Sequence, residues 1–172
     1  MLKKFIFLSI LILSFTTISF ANSFESSEKR VNIIELYTSQ GCSSCPVADD
    51  WLNDLKDNPK VFKEFIPLAY HVTYWNFLGW KDIFSKDEFS QKQKEYSAFW
   101  NKRSVYTPQF ITNGLEYRQW FNNRAFPDFN DKVTGVLKID LTNEHVKINF
   151  NPINVKNQEV NINIAILGFD YM

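Results

Sequence analysis

The sequence contains only two cysteines and two histidines in 172 residues, and it has no surplus of either charge, with 19 basic and 19 acidic side chains. Both cysteines, Cys42 and Cys45, belong to one C-x-x-C, which excludes the multi-bridge disulfide framework of small secreted domains. Balanced charge, with lysines and arginines scattered, gives no footing for an electrostatic partner such as nucleic acid. The most basic stretch, 92–102, is interleaved with acids and aromatics and reads as a solvated helix face. A bilayer-spanning run is also missing. The N-terminal apolar stretch from Phe5 to Phe20 covers about 16 residues and is broken by Ser9, Ser14, Thr16, Thr17 and Ser19, short of the roughly 20 that a membrane helix requires.

That stretch has the layout of an export signal: basic Lys3 and Lys4, the apolar run, then small residues Ser19 and Ala21 at the −3 and −1 positions. Cleavage after Ala21 is expected, giving a periplasmic or secreted protein with no stable membrane insertion once the signal is gone. Seventeen basic residues against nineteen acidic then leave a net charge of −2. About 150 residues make one domain, or one domain and part of a second. High aromatic content, concentrated between Phe62 and Phe129, favours a packed globular core over disorder.

After a polar linker, 22–30, the run Val31 to Thr38 is rich in β-branched and aromatic residues and predicts a strand leading into the cysteines. From Cys45 onward Ala48, Trp51, Leu52 and Leu55 recur at helical spacing, with Asp49, Asp50, Asn53 and Asp54 assigned to the other side, and Asn58-Pro59 ends the helix. Phe65 to Val72 predicts a second strand, followed by an aromatic loop from Thr73 to Trp80. Ser85 with Glu88 forms a capping-box signature for a helix ending near Asn101, with Phe89, Gln93, Tyr96 and Trp100 on one face. Gln109 to Thr112 is a third strand, and Asn113-Gly114 signals a hairpin into Leu115 to Trp120; a short helix is expected within 122–133.

This order, over 31–133, predicts an α/β fold with a small mixed sheet flanked by helices. Beyond it, Gly135 to Leu141, Glu144 to Phe150 and Glu159 to Gly168 alternate apolar and polar residues, which predicts a β-rich C-terminal unit over 134–172. Three such strands are marginal by themselves, so this unit is expected to be truncated at Met172.

Thiol–disulfide exchange needs a thiolate that attacks and a second thiol that resolves the mixed disulfide, and the C-x-x-C spacing at a helix start supplies both. Cys45 falls on the apolar helical stripe and is expected to be buried; Cys42, at the helix mouth, is expected to be exposed. Unpaired N–H groups and the helix dipole there favour an anion over a thiol whose ordinary pKa is about 8.5. Pro46 suits a first turn that needs no donor. Glu35, inside the first strand, reads either as a carboxyl with a raised pKa that takes the proton of Cys45 or as a residue at an exposed strand edge. Pro108, after Thr107, reads either as a cis proline facing the dithiol or as an ordinary trans proline opening a strand. The loop bearing Tyr74, Trp75, Phe77, Leu78 and Trp80 reads as a satellite core or as an aromatic wall that binds substrate. Tyr74, Trp75, Trp80, Tyr106 and Thr107 are the candidate substrate contacts.

The run from Glu35 to Pro46, E-L-Y-T-S-Q-G-C-S-S-C-P, followed by Ala48-Asp49, resembles the opening of a secreted, thioredoxin-like family catalogued as a domain of unknown function. His71-Val72 with Tyr74-Trp75, then Leu78-Gly79-Trp80-Lys81-Asp82, resembles its second block, and Val105 to Gln109 its third. The resemblance covers roughly 31–172 and implies a thioredoxin fold followed by a β-rich part, with Pro108 cis and facing the cysteines. Val47 stands where the family often has a second proline, and Thr73 where it often has aspartate, so the resemblance supplies no acid next to His71.

The leading expectation is an exported thiol–disulfide oxidoreductase acting on protein or small-molecule thiols and disulfides without a cofactor. Cys42 attacks, Cys45 resolves, Pro108 shapes the substrate face and Glu35 relays a proton. The alternatives are a copper- or zinc-binding module using Cys42, Cys45 and His71, since thiolates plus an imidazole suit those metals, or a redox-silent binding domain.

Overall fold

A computed structural model describes residues 22–129, 132–143, 145–153, 159 and 161–168. The elements run β1 (Asn22–Glu25), β2 (Asn32–Thr38), α1 (Pro46–Asp54) with a short 3-10 turn after it, β3 (Phe65–His71), α2 (Asp87–Phe99), β4 (Gln109–Thr112), β5 (Leu115–Glu116), α3 (Trp120–Asn123), β6 (Gly135–Leu141) and β7 (Val146–Pro152). They form a mixed four-stranded sheet in the order β3-β2-β4-β5 and an antiparallel three-stranded sheet in the order β1-β6-β7. The expected α/β architecture with a β-rich C-terminal part is therefore present.

Strand β2 is the spine of the mixed sheet. It pairs parallel with β3 over its full length, from Asn32 opposite Phe65 to Thr38 opposite His71, and antiparallel with β4 from Ile34 to Tyr37. Side chains alternate across a strand, and here both directions are covered. Ile34 and Leu36 join Ala48, Leu55, Phe65, Phe110, Tyr117 and Trp120 in a core under α1, with Trp51 and Leu52 packed against it. Tyr37 joins Val72 and Ile111 in a second core on the opposite face, closed by Tyr70, Tyr74, Trp75, Tyr96 and Trp100. A parallel pair joined through a helix needs this two-sided cover, because the crossover lays its helix on the sheet.

The sheet hydrogen bonds end where the sequence signals turns. Asn113 and Gly114 have φ of 50° and 82°, the paired left-handed geometry of a two-residue hairpin. β5 is only two residues long, the Tyr117 N–H adding one further bond to the Phe110 carbonyl at 2.8 Å as its ring packs in the core, so the strand is shorter than the expected Leu115 to Trp120. The expected short helix lies earlier, at Trp120–Asn123, ahead of Pro127. Helix α2 starts one residue later than the capping box implied. Lys86 is its N-cap, without a side-chain cap bond, because Ser85 Oγ instead donates to the Asp82 carbonyl at 2.8 Å.

The segment read as a linker, 22–30, is built into the second sheet: β1 runs antiparallel to β6, with Asn22 opposite Leu141 and Glu25 opposite Lys138. Gly135 opens β6 at φ 141°, and a Cβ there would collide with the Asn151 carbonyl and Pro152. The third strand expected over Glu159 to Gly168 does not form among the described residues of that stretch, which carry no strand assignment. The export signal expected in residues 1–21 lies outside the described residues. Among those described, no helix is long and apolar enough to cross a membrane.

Candidate active site

Cys42 and Cys45 form a disulfide, with Cα atoms 5.4 Å apart, at the N-terminus of α1. Cys45 is the N-cap and Pro46 the first helical residue, so the missing proline N–H costs no intrahelical bond. A tight turn sets the pair: the Cys42 N–H donates to the Ser39 carbonyl at 3.0 Å and the Cys45 N–H to the Cys42 carbonyl at 3.2 Å. Cys45 is fully buried, as expected. Cys42 is not exposed: at 4% exposure it too is buried, its sulfur 3.5 Å from the Ser44 hydroxyl. In the disulfide state each sulfur covers part of the other, and the loop after β3 packs over the turn.

That loop grips the motif at three points. Trp75 lies so close to Gly41 that a Cβ on Gly41 would sit 3.1 Å from the Trp75 Cβ. Its indole Nε1 donates to Thr107 Oγ1 at 2.7 Å, next to the Thr107–Pro108 peptide, which is cis. Trp80 Nε1 donates to Gln40 Oε1 at 2.9 Å, and the Gln40 N–H donates to Asp82 Oδ2 at 2.9 Å. The loop divides between core and surface. Tyr74 and Trp75 pack into the second core, and Tyr74 also donates to Gln93 Oε1, while Trp80 is 61% exposed beside Phe77 and Leu78 at the surface.

A cleft of about 420 Å³ is lined by Ser44, which stands between the two cysteines in sequence, and by Tyr106, Thr107, Pro108, Arg118, Trp120 and Phe121. Pro108 and Ser44, the residue before Cys45, thus line the same open groove. Tyr106 is anchored through its hydroxyl to Glu116 Oε1 at 2.9 Å, and its carbonyl accepts from Gln93 Nε2 at 2.8 Å.

Glu35 is not brought to the sulfurs. Strand alternation sends it to the α2 face, opposite the face on which α1 packs, where it accepts from Tyr96 at 2.8 Å and pairs with Lys92 at 2.6 Å. Burial first, and then the bond to Glu35, push the Tyr96 phenol up to about 12. The carboxyl is neither at an exposed edge nor within the dithiol turn, so the relay from Cys45 has to be sought elsewhere.

His71 ends β3 and its Nδ1 lies 2.7 Å from Asp82 Oδ2. Burial of Asp82 opposes its ionisation, but the Gln40 N–H, the His71 ring and the Phe84 N–H outweigh it and hold the carboxyl below its ordinary value. Thr73 does leave His71 without a sequence-adjacent acid; Asp82, eleven residues on, takes that place through the fold. Among the described residues no group of three or more His, Cys, Asp or Glu side chains is arranged to hold a metal ion, so Cys42, Cys45 and His71 do not assemble into the set the alternative required.

Sequence reading also missed Asp49. Assigned to the outer side of α1, it is half-buried, and burial raises its pKa while Thr38 and His71 hold it down. The signal was present in the spacing: positions 45, 49 and 52 follow the i, i+4, i+7 stripe of the buried face.

A crystal structure of a protein from Agrobacterium tumefaciens is 39% identical over 51% of this chain and 36% of that one, with a TM-score of 0.43. The matched part of this chain thus spans about a third of that protein's length. No curated protein matches the chain. The family model described as "Protein of unknown function (DUF1223)" matches residues 33–167, a span running from β2 past β7, and the chain belongs to that family.

Proposed function

We propose that this protein is an exported thiol–disulfide oxidoreductase with a thioredoxin-like core, acting on protein or small-molecule thiols and disulfides. The observation that carries the reading is the Cys42–Cys45 disulfide at the mouth of α1, with Ser44 between the two cysteines lining the same open cleft as Pro108. Sheet order and direction support the fold assignment: a parallel β2/β3 pair joined through α1, then the antiparallel β4–β5 hairpin on the other side of β2.

In the reduced protein Cys42 is the attacking sulfur, because it precedes the helix and borders the cleft through Ser44, whereas Cys45 is sealed beneath it. The unpaired N–H groups of the first turn and the helix dipole stabilise negative charge at that point. Pro108, with Tyr106 and Thr107, forms the far wall on which substrate backbone lies, and Trp80 with its exposed apolar neighbours extends the contact surface. Trp75 and Tyr74 act from behind this surface, fixing Thr107 and the loop.

The test is exchange itself. The mature protein is equilibrated in glutathione buffers of graded ratio, free thiols are trapped by alkylation, and turnover of a disulfide-bonded protein is followed in parallel. A reversible two-electron transition, with turnover lost in Cys42→Ser, is expected. Turnover unchanged when both cysteines are replaced by serine would remove the enzymatic reading and leave a binding domain.

A further inference from the structure

Resolution of a mixed disulfide requires Cys45 to lose its proton inside the protein, and Glu35 lies on the wrong face of the sheet to take it. Asp49 is better placed. Its N–H donates to the Cys45 carbonyl at 3.0 Å, one helical turn on. Side chains four apart on a helix are neighbours, with Cβ atoms about 5–6 Å apart. Thr38 lies opposite His71 in the β2–β3 register, His71 meets Asp82, and the charges of His71, Asp50 and Asp82 act on the Asp49 carboxyl. His71, whose side chain is 21% exposed, links this cluster to solvent, and Asp82 fixes its ring at 2.7 Å.

We propose that Asp49 is the base that accepts the Cys45 proton in the resolving step, and that His71, positioned by Asp82, passes that proton to solvent. This rests on the exchange reading above and specifies the residues that complete it. The Cys42 thiolate first bonds to one sulfur of the substrate disulfide, whose S–S bond breaks to release a thiolate. Cys45 then gives its proton to the Asp49 carboxylate. The electron pair left on the Cys45 sulfur forms the Cys42–Cys45 bond as the bond from Cys42 to substrate breaks, releasing the second substrate thiolate. The protein dithiol is oxidised by two electrons and the substrate disulfide is reduced by two. In the opposite direction protonated Asp49 returns the proton to the Cys45 thiolate. Burial serves this role, since it brings the carboxyl's proton affinity closer to that of a thiol than an exposed aspartate's would be.

The reduced protein mixed rapidly with 5,5′-dithiobis(2-nitrobenzoic acid) reads both steps, because one coloured thiolate is released when Cys42 forms the mixed disulfide and a second when Cys45 closes it. Asp49→Asn, close to isosteric, is expected to slow the second release about a hundredfold, the scale of a positioned base. His71→Gln leaves the helix untouched and is expected to shift the pH inflection of the second release upward, since the ring holds the Asp49 carboxyl down. Second-release rates that coincide in wild type and Asp49→Asn between about pH 5 and 8 overturn the proposal while leaving exchange standing, as does an inflection unmoved by His71→Gln. A wild-type protein that never gives the second release overturns the exchange reading itself.

Discussion

Strands β2 and β7 are both seven residues long, yet β2, with apolar neighbours Ile33-Ile34 and Leu36-Tyr37, is buried at all but one position and β7, which alternates apolar and polar residues, is exposed at all but one. The difference lies in what surrounds them. β2 has a hydrogen-bonded strand on each edge and an aromatic-rich layer on each face. Among the described residues β7 has β6 on one edge only, and neither buried core cluster includes a residue of the second sheet. A strand covered on both faces reads as a nearly continuous apolar run, and one covered on a single face or none alternates. The cysteine pair follows the buried sheet, where packed side chains hold it in fixed geometry.

The contrast is open to direct attack. Phe110 is fully buried against Trp51 and Trp120, so Phe110→Ala is expected to cost about 3–5 kcal/mol in denaturant unfolding. Asp82→Asn is the next largest. It removes the charge that the Gln40 N–H and His71 are arranged around, at about 1.5–3 kcal/mol for a charged hydrogen bond. Because the folded pKa of Asp82 is depressed, its contribution is full above the ordinary value of 3.8 and fades as pH falls through the lower folded value. The wild-type and Asp82→Asn stabilities should therefore converge in acid.

Asp49 should behave with the opposite sign. Its folded pKa is raised, so its ionisation begins to cost stability as pH rises past 3.8, and the cost is complete above the folded value. Asp49→Asn is expected to be equal to or more stable than wild type at neutral pH, read as thermal midpoint against pH. Gly135→Ala forces a side chain into the Asn151 carbonyl at a left-handed φ, costing about 1–3 kcal/mol. Amide exchange should quicken in β6 and β7 with β2 protection intact. Smallest of all, Phe150→Ala, at 36% exposure on β7, should shift stability by about 0.5 kcal/mol or less. A loss there rivalling that of Phe110→Ala would show that the second sheet is covered in the working protein.

Much of the mixed sheet was legible from pattern alone, because β-branched runs, the Asn113-Gly114 turn and the Cys45–Leu55 spacing act over a few residues. Strand β4 falls on the expected Gln109 to Thr112, and β6 on Gly135 to Leu141. Strand β1 was not legible: 22–30 is polar, and its pairing is fixed by β6 more than a hundred residues away. The site divided in the same way. The C-x-x-C spacing marked the dithiol and local sequence left Pro108 open between two readings, whereas Asp82 reaches His71 and Gln40 only through the return of a loop.

By itself the sequence determined that two sulfurs three residues apart would sit at a helix mouth after a strand, since spacing and local propensity settle that within a dozen residues. Only the tertiary structure decided that Cys42 is covered as well as Cys45, and that Glu35 faces α2 while Asp82 meets His71 and the Gln40 N–H before the cysteine turn. Which face a side chain takes depends on a strand's register against its partners and on the layers packed over it, and both are set by contacts between distant parts of the chain.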